Sequence, residues 1–149
     1  MAIPFGELAS GTRRQAAPMQ FIAVWETTDA PIADFRHATR ALLALAGHLP
    51  GHRASQDAQL VVTELVTNAY RHAPGPGVLL LELTPGEFLL DITVRDGSPH
   101  PPLLRPPDAT RPGGHGLRLV ARLCERLHHN ALGTGKEVVA RLHLRRPAG

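Results

Sequence analysis

The chain of 149 residues is poor in cysteine and in aromatic side chains, with one Cys, one Trp and one Tyr. A lone Cys124 excludes an internal disulfide framework and a cysteine-based metal site, and its apolar surroundings predict a buried structural thiol. The sequence has no run of roughly 18 apolar residues, and residues 1–9 lack the basic start and long apolar centre of a secretory signal. We therefore expect a cytoplasmic protein without a membrane segment.

Acidic residues are scarce in the last third of the chain. Residues 101–149 contain nine basic and three acidic side chains, whereas the formal net charge of the whole chain is +3. Such a basic region suits a phosphate-bearing ligand, an acidic protein partner or a nucleic acid. The Trp and the Tyr both precede residue 71, so no Trp or Tyr accompanies the basic region and nucleic-acid binding is disfavoured.

Nine histidines raise the alternative of a transition-metal site, because imidazole suits Zn²⁺ or Ni²⁺. They include His100, His115, His128 and His129. His48 and His52 are the one pair with the four-residue spacing of a helical metal site, and a Pro-Gly turn lies between them. The pattern therefore disfavours a transition-metal site.

Hydrophobic periodicity predicts a single domain in which strands and helices follow no strict β-α-β rhythm. This order favours an α+β two-layer sandwich over a doubly wound fold. Ser55 is a candidate N-cap for the second helix. The predicted segments are a mobile arm over residues 1–18, a strand over 19–25, a helix over 32–47, a helix over 55–72, strands over 78–83 and 88–94, a helix over 117–127, a short strand over 128–132, a strand over 138–144 and a tail over 147–149.

The second helix carries a polar pair beside its apolar stripe. Glu64 and Asn68 are one turn apart at the border of a face formed by Val61, Leu65 and Ala69. A carboxylate and a carboxamide so placed can share one ligand or one metal ion, although an isolated pair of this kind is more often just solvated.

Two further patterns carry chemistry. Asp96-Gly97 ends a strand at the start of a proline-rich stretch, and a carboxylate there can accept a hydrogen bond from an exocyclic amine such as that of adenine. Gly113-Gly114-His115-Gly116 precedes the third helix, where glycines permit close backbone approach and a helix N-terminus favours phosphate.

Together, and in this order, these motifs resemble the histidine-kinase-like ATPase superfamily. Residues 64–73 are similar to its N box, residues 94–98 to its first glycine box and residues 113–117 to its second. The resemblance covers about residues 20 to 146 and implies a Bergerat ATP-binding fold over 19–146, with a mixed, mostly antiparallel sheet covered on one face by helices. The short chain is most similar to the stand-alone anti-sigma-factor serine/threonine kinases.

The resemblance also implies ATP and Mg²⁺ as cofactors and assigns roles to individual residues. Glu64 is the implied general base, which orients a hydroxyl or a water for attack on the γ-phosphate. Asn68 is the implied Mg²⁺ ligand through its carbonyl oxygen, and Asp96 the implied reader of adenine. The implied nucleotide-binding residues are Asn68, Arg71, His72, Asp96, Gly97, Gly113, Gly114, His115, Gly116, Leu117, Arg118 and Thr134.

Two positions depart from the family pattern. Asp96 is followed directly by Gly97, then by Ser98 and Pro99, so the first glycine box is degenerate. On the last strand the family tends to place a threonine that helps to bind adenine through water, and we expect Glu137 at that position. Thr134 could substitute only if its loop shifts.

The resulting hypothesis is an anti-sigma-factor kinase that binds a sigma factor, regulates transcription and phosphorylates an antagonist protein. Its family commonly forms homodimers. The alternative is a catalytically weak or inactive partner-binding module of the same fold, which the two departures and the basic C-terminal third favour.

Overall fold

The computed structural model describes residues 17–26, 31–73, 75–84, 86, 88–97 and 116–144. They form two layers, a five-stranded sheet and three helices on one of its faces. The strands are β1 Met19–Trp25, β2 Gly77–Thr84, β3 Leu89–Asp96, β4 Arg126–Leu132 and β5 Gly135–His143. The helices are α1 Ile32–Leu45, α2 Arg53–His72 and α3 Gly116–Leu123. The predicted α+β sandwich is confirmed.

The strand order in the sheet is β1-β2-β3-β5-β4, and all four pairings are antiparallel. β2 and β3 pair as neighbours in sequence, as do β4 and β5, whereas β3 pairs with β5 across the segment that contains α3. This order brings the end of β3 and the start of β5 together, with Asp96 opposite Lys136.

The two faces of the sheet differ in burial because side chains alternate along each strand. Leu79, Leu81, Leu90, Ile92 and Ala140 lie on the face under the helices and are fully buried. The opposite face carries Ile22 and Val24 of β1, each 62% exposed. The core therefore lies on one side of the sheet, and the site residues on inward-facing strand positions lie on that side.

The long helix α2 supplies the largest apolar surface against the sheet. Its Val61, Val62, Leu65, Val66 and Ala69 recur at helical spacing and are buried to 2% exposure or less. Each fully buried Val or Leu side chain contributes about 1.5–3 kcal/mol relative to an exposed one. This packing fixes the rotation of α2, and with it the direction of the polar residues beside the apolar stripe.

The start of α2 differs from the prediction. The helix begins at Arg53, two residues before Ser55, and His52 precedes it without a side-chain cap. Ser55 is buried inside the first turn, where its Oγ accepts a hydrogen bond from Gln59 Nε2 at 3.1 Å. Ser55 therefore stabilises the first turn from within and is not the N-cap.

The third helix is shorter than predicted. α3 ends at Leu123, and Leu127 lies in β4 as the partner of Ala140. Glu125 N donates a hydrogen bond to Arg141 O at 2.8 Å, so the backbone has already joined the sheet before β4 begins. Leu127 fits the helical spacing of α3, but its backbone pairs with Ala140 in the sheet.

None of the helices in these described ranges is long and apolar enough to cross a membrane.

Candidate functional site

Glu64 and Asn68 lie in the middle of α2, one turn apart, and both side chains are half-buried. They flank the buried residues Leu65 and Ala69 at the border between the core and the surface. The position is as predicted from the helical spacing. A carboxylate and a carboxamide oxygen in this setting are hard donors, the type that Mg²⁺ binds together with phosphate oxygens and water.

The Glu64 carboxylate lies directly against the first residue of α3. A Cβ added to Gly116 would fall 2.9 Å from Glu64 Cδ and still closer to Glu64 Oε1. A side chain at position 116 would displace the Glu64 carboxylate, so glycine there permits the close approach of Glu64. The structure thus brings the predicted N box together with the start of the helix that follows the second glycine box.

The beginning of α3 also offers hydrogen-bond donors. The first backbone N–H groups of a helix have no partner within the helix, and they attract negative charge. A phosphate held there would lie near Glu64, because Gly116 contacts that side chain. Gly113, Gly114 and His115 lie outside the described residues, so their predicted contacts with phosphate stay predictions.

Asp96 is the last residue of β3, and its side chain points to the face under the helices, in phase with Val94. Lys136 on β5 points to the same face, in phase with Val138. Lys136 Nζ donates to Asp96 Oδ1 at 3.1 Å and to Asp96 Oδ2 at 2.9 Å. The two side chains are 1% and 2% exposed, so this is a fully buried ion pair.

Glu137 does not lie where the sequence analysis placed it. Its side chain lies on the open face of the sheet, where Arg95 Nε donates to Oε1 and Asn130 Nδ2 donates to Oε2, both at 2.9 Å. The hydrogen bond from Asn130, with that from Arg95 and the nearby charge, lowers the pKa of Glu137. The residue beside Asp96 is therefore Lys136. The expectation for Glu137 was wrong by one residue, and a shift of one residue along a strand moves the side chain to the opposite face of the sheet.

The backbone around Asp96 is tightly packed. A Cβ on Gly135 would be 2.9 Å from Gly97 Cα and closer to the Asp96 carbonyl oxygen, and Gly135 has a φ of 157°. The turn between β4 and β5 thus lies directly on the Asp96-Gly97 segment. This contact holds β3 and β5 in the register that sets Lys136 opposite Asp96.

A cleft of about 470 Å³ touches the same segment from the open side of the sheet. Its walls include Val24, Val78 and Arg95 on that face and Thr134 in the turn between β4 and β5. Thr134 is exposed there and stands apart from the α2 face. The described residues that line the cleft do not include Glu64 or Asn68.

The other predicted residues are dispersed. Arg71 and His72 are exposed in the last turn of α2, and Arg118 is exposed on α3. Leu117 is buried in the core at 8% exposure, and its assignment as a nucleotide-binding residue stays a prediction. Gly97 is exposed, and a Cβ added to it would meet no atom within 4 Å.

Lys136 is the residue that sequence reasoning missed. The alternation of Val138, Ala140 and Leu142 already puts position 136 on the inward side of β5. A lysine in that phase, in a chain whose other basic residues are all arginine, was the available signal.

Cys124 follows α3 and is half-buried. Burial, with a smaller effect from Asp57, raises the pKa of its thiol to about 12. The thiol therefore stays protonated at neutral pH and is a poor nucleophile. Across the described part of the chain, no three His, Cys, Asp or Glu side chains are grouped so that they could hold a metal ion.

A family model described as histidine kinase-like ATPase domain matches residues 25–142. Comparison with the curated proteins gave no match. The matched range contains α2, the end of β3, the start of α3 and the start of β5, which are the four places where the site residues lie.

Proposed function

Since the chain belongs to the histidine kinase-like ATPase domain family, we propose that it transfers the γ-phosphate of ATP to a serine or threonine of a partner protein. The observation that carries the proposal is the contact of the Glu64 carboxylate with Gly116 at the start of α3. It sets a proton acceptor beside the backbone donors suited to a phosphate.

Glu64 acts on the attacking hydroxyl in this proposal. The hydroxyl oxygen forms a bond to the γ-phosphorus, the bond between that phosphorus and the β,γ-bridging oxygen breaks, and Glu64 accepts the hydroxyl proton. The products are a phosphoserine or phosphothreonine and ADP. Asn68 would hold Mg²⁺ through its carboxamide oxygen, and the chemistry that this ion would supply is neutralisation of charge on the phosphates.

The proposed protein partners are a sigma factor and an antagonist protein that this chain phosphorylates, as in the anti-sigma-factor kinases that the motifs resemble. Phosphorylation of the antagonist would change which complex forms. A homodimer is part of the same proposal.

The test is phosphotransfer from radiolabelled Mg-ATP to candidate antagonist proteins by the wild type and by Glu64→Gln. We expect the variant to lose about 100-fold or more in rate, because a positioned general base contributes about 10²–10⁴-fold. The affinity for ATP, measured by calorimetry, should stay within about threefold.

Glu125→Gln is the matched control, since Glu125 is an exposed carboxylate outside the site. It should transfer phosphate at the wild-type rate. Equal rates for Glu64→Gln and the wild type would remove Glu64 from the mechanism, and no transfer by the wild type to any candidate would remove the kinase function.

A second candidate function is a partner-binding module with weak nucleotide affinity. The observation that favours it is that Lys136 Nζ donates hydrogen bonds to both carboxylate oxygens of Asp96, the residue assigned to adenine. Calorimetry separates the two functions: a dissociation constant for ATP in the micromolar range, roughly −8 kcal/mol, argues for the kinase, and no measurable heat argues for the module.

A further inference from the structure

Lys136 is the only lysine of the chain, and fifteen other basic residues are arginine. Among the lysine and arginine side chains of the described ranges, it is the only buried one. A lysine ammonium is compact and carries three donors on a slender stem, whereas a guanidinium is planar and wider. The position opposite Asp96, where the Gly135 backbone lies against the Asp96 carbonyl oxygen, therefore suits lysine and leaves little room for arginine.

The pair satisfies Asp96 from within the protein. Both carboxylate oxygens accept from Nζ, at 2.9 and 3.1 Å, and both side chains are removed from solvent. Burying a carboxylate without a counter-charge is costly, and a cation at hydrogen-bond distance offsets that cost. A ligand is therefore not needed to neutralise this carboxylate.

The purine bases differ in what they would offer to such a carboxylate. Adenine has an amine donor at its 6-position, whereas guanine and hypoxanthine have a carbonyl acceptor there. An uncompensated carboxylate attracts the amine and repels the carbonyl, because two acceptors cannot form a hydrogen bond. A carboxylate already neutralised by an ammonium exerts much less of either effect.

We propose that Lys136 is the specificity-determining residue of the nucleotide site, and that by neutralising Asp96 it leaves the site nearly indifferent to the 6-position of the purine. This inference rests on the proposed nucleotide site. The expected ligands are purine nucleoside triphosphates, which the site selects by their phosphates. Glu64 and Asn68 lie on α2 and Gly116 on α3, whereas Asp96 and Lys136 lie on β3 and β5, so the residues proposed for Mg²⁺ and phosphate differ from those proposed for the base.

The first test compares Mg-ATP with Mg-ITP, which differ at the 6-position as amine and carbonyl. For the wild type we expect dissociation constants within about threefold of each other. Lys136→Thr leaves Asp96 with the weaker partner of a hydroxyl, and we expect ATP to bind about tenfold or more tightly than ITP. A wild type that already prefers ATP tenfold, or a folded Lys136→Thr with an unchanged ratio, overturns the proposal.

Arg141→Thr is the matched control. Arg141 on β5 pairs with Asp91 on β3 at 2.8 and 3.0 Å, so it forms the same kind of cross-strand pair on the same two strands, on the open face. Its loss should leave the ratio of ATP to ITP affinity at the wild-type value. A change as large as that of Lys136→Thr would assign the effect to the sheet and overturn the proposal.

A neutral double variant guards against misfolding of Lys136→Thr. Asp96→Asn combined with Lys136→Met removes both charges and keeps similar volumes, so no buried charge is left without a counter-charge. If Asp96 contributes little to base selection in the wild type, the double variant keeps the wild-type ratio within about threefold. A loss of ATP preference relative to the wild type contradicts the proposal.

Amine acylation tests the accessibility of the Lys136 ammonium directly, because Lys136 is the only lysine of the sequence. Mass spectrometry after treatment with an acetylating ester should show Lys136 unmodified, in the free protein and with ATP or ITP bound. Rapid modification of Lys136 with either nucleotide would show that binding releases it from Asp96, which overturns the proposal.

The failure of this inference differs from the failure of the proposed kinase. A strong ATP preference together with Glu64-dependent phosphotransfer removes the inference and keeps the kinase. Equal binding of ATP and ITP without phosphotransfer removes the kinase and keeps the inference. No binding of either nucleotide by any variant removes both.

Discussion

At the scale of single residues, the indole of Trp25 covers the backbone of Gly77, its partner across β1 and β2. A Cβ on Gly77 would lie 2.7 Å from Trp25 Cη2 and closer to two other ring atoms. Trp25 is buried, and its ring centroid is 5.6 Å from that of Phe35 at a tilt of 50°. Gly77 therefore leaves room for the indole of Trp25, which packs β1 against Phe35 of α1.

Gly77→Ala should destabilise the protein by about 1–3 kcal/mol, because the new methyl group forces the indole out of its packing. Urea unfolding followed by Trp25 fluorescence measures the change. Gly86→Ala is the control, since a Cβ there meets no atom within 4 Å, and it should stay within about 0.5 kcal/mol of the wild type. Equal stability of the two variants would contradict the role of Gly77.

The residue-scale features of the site could be predicted only in part. Glu64 and Asn68 follow from the period of α2, because helical spacing is local. The partner of Asp96 does not, because the register of β3 on β5 is a non-local property. Counting along the sequence from the motif placed Glu137 at the adenine site. The two-residue period of the strand places Lys136 beside Asp96 instead.

At the scale of elements, α2 and α3 meet where the Glu64 carboxylate lies on Gly116. The contact couples the rotation of α2, fixed by its buried face, to the starting point of α3. The direction in which α3 presents its first backbone N–H groups therefore depends on a residue of α2.

Gly116→Ala should slow phosphotransfer about 100-fold, because the added methyl group displaces the Glu64 carboxylate by roughly 1 Å or more. The rate is measured with the antagonist that the wild type phosphorylates. Gly133→Ala is the control, since a Cβ at 133 meets open space in the turn before β5. A wild-type rate for Gly116→Ala would show that the contact of Glu64 with α3 does not matter for the reaction.

Most elements, but not all of their ends, could be predicted from periodicity. Alternation predicted β1 with its observed bounds and β2 and β3 to within two residues. The end of α3 was wrong because Leu127 fits both a helical stripe and the paired strand β4, and only pairing with Ala140 decides between them. The proline-rich stretch that follows Gly97, residues 98–115, lies outside the described residues.

At the scale of the whole molecule, His48 links global stability to pH. It lies between α1 and α2 and is 3% exposed. Burial, and to a smaller extent the neighbouring His52, lowers the pKa of His48. The folded protein therefore binds this proton less readily than the unfolded chain, whose histidine has a pKa of about 6.5.

The free energy of unfolding should fall as pH drops below about 6.5, because the unfolded chain then takes up a proton that folded His48 resists. The slope from this residue is at most about 1.4 kcal/mol per pH unit. Urea unfolding at pH 7.5, 6.5 and 5.5 measures it. His48→Gln should flatten the curve and His143→Gln, at an exposed site, should not; the reverse ranking would assign the slope to other groups.

The architecture of the whole molecule was predictable from its motifs because those motifs lie on fixed elements of one fold. Strand order was not, because β4 follows α3 yet takes the outer edge while β5 enters between β3 and β4. The sheet was predicted as mostly antiparallel, and in the described strands every pairing is antiparallel.

The place of β1 in this order has a kinetic consequence. β2 and β3 are joined by a short connection, as are β4 and β5, so these hairpins close at little entropic cost. β1 reaches β2 only after residues 26–76 have been brought together, and it then pairs along one side alone within the described sheet. Long-range pairing forms late in folding. The first strand of the chain is thus expected to join the sheet last and to detach first, which would leave the backbone edge of β2 open.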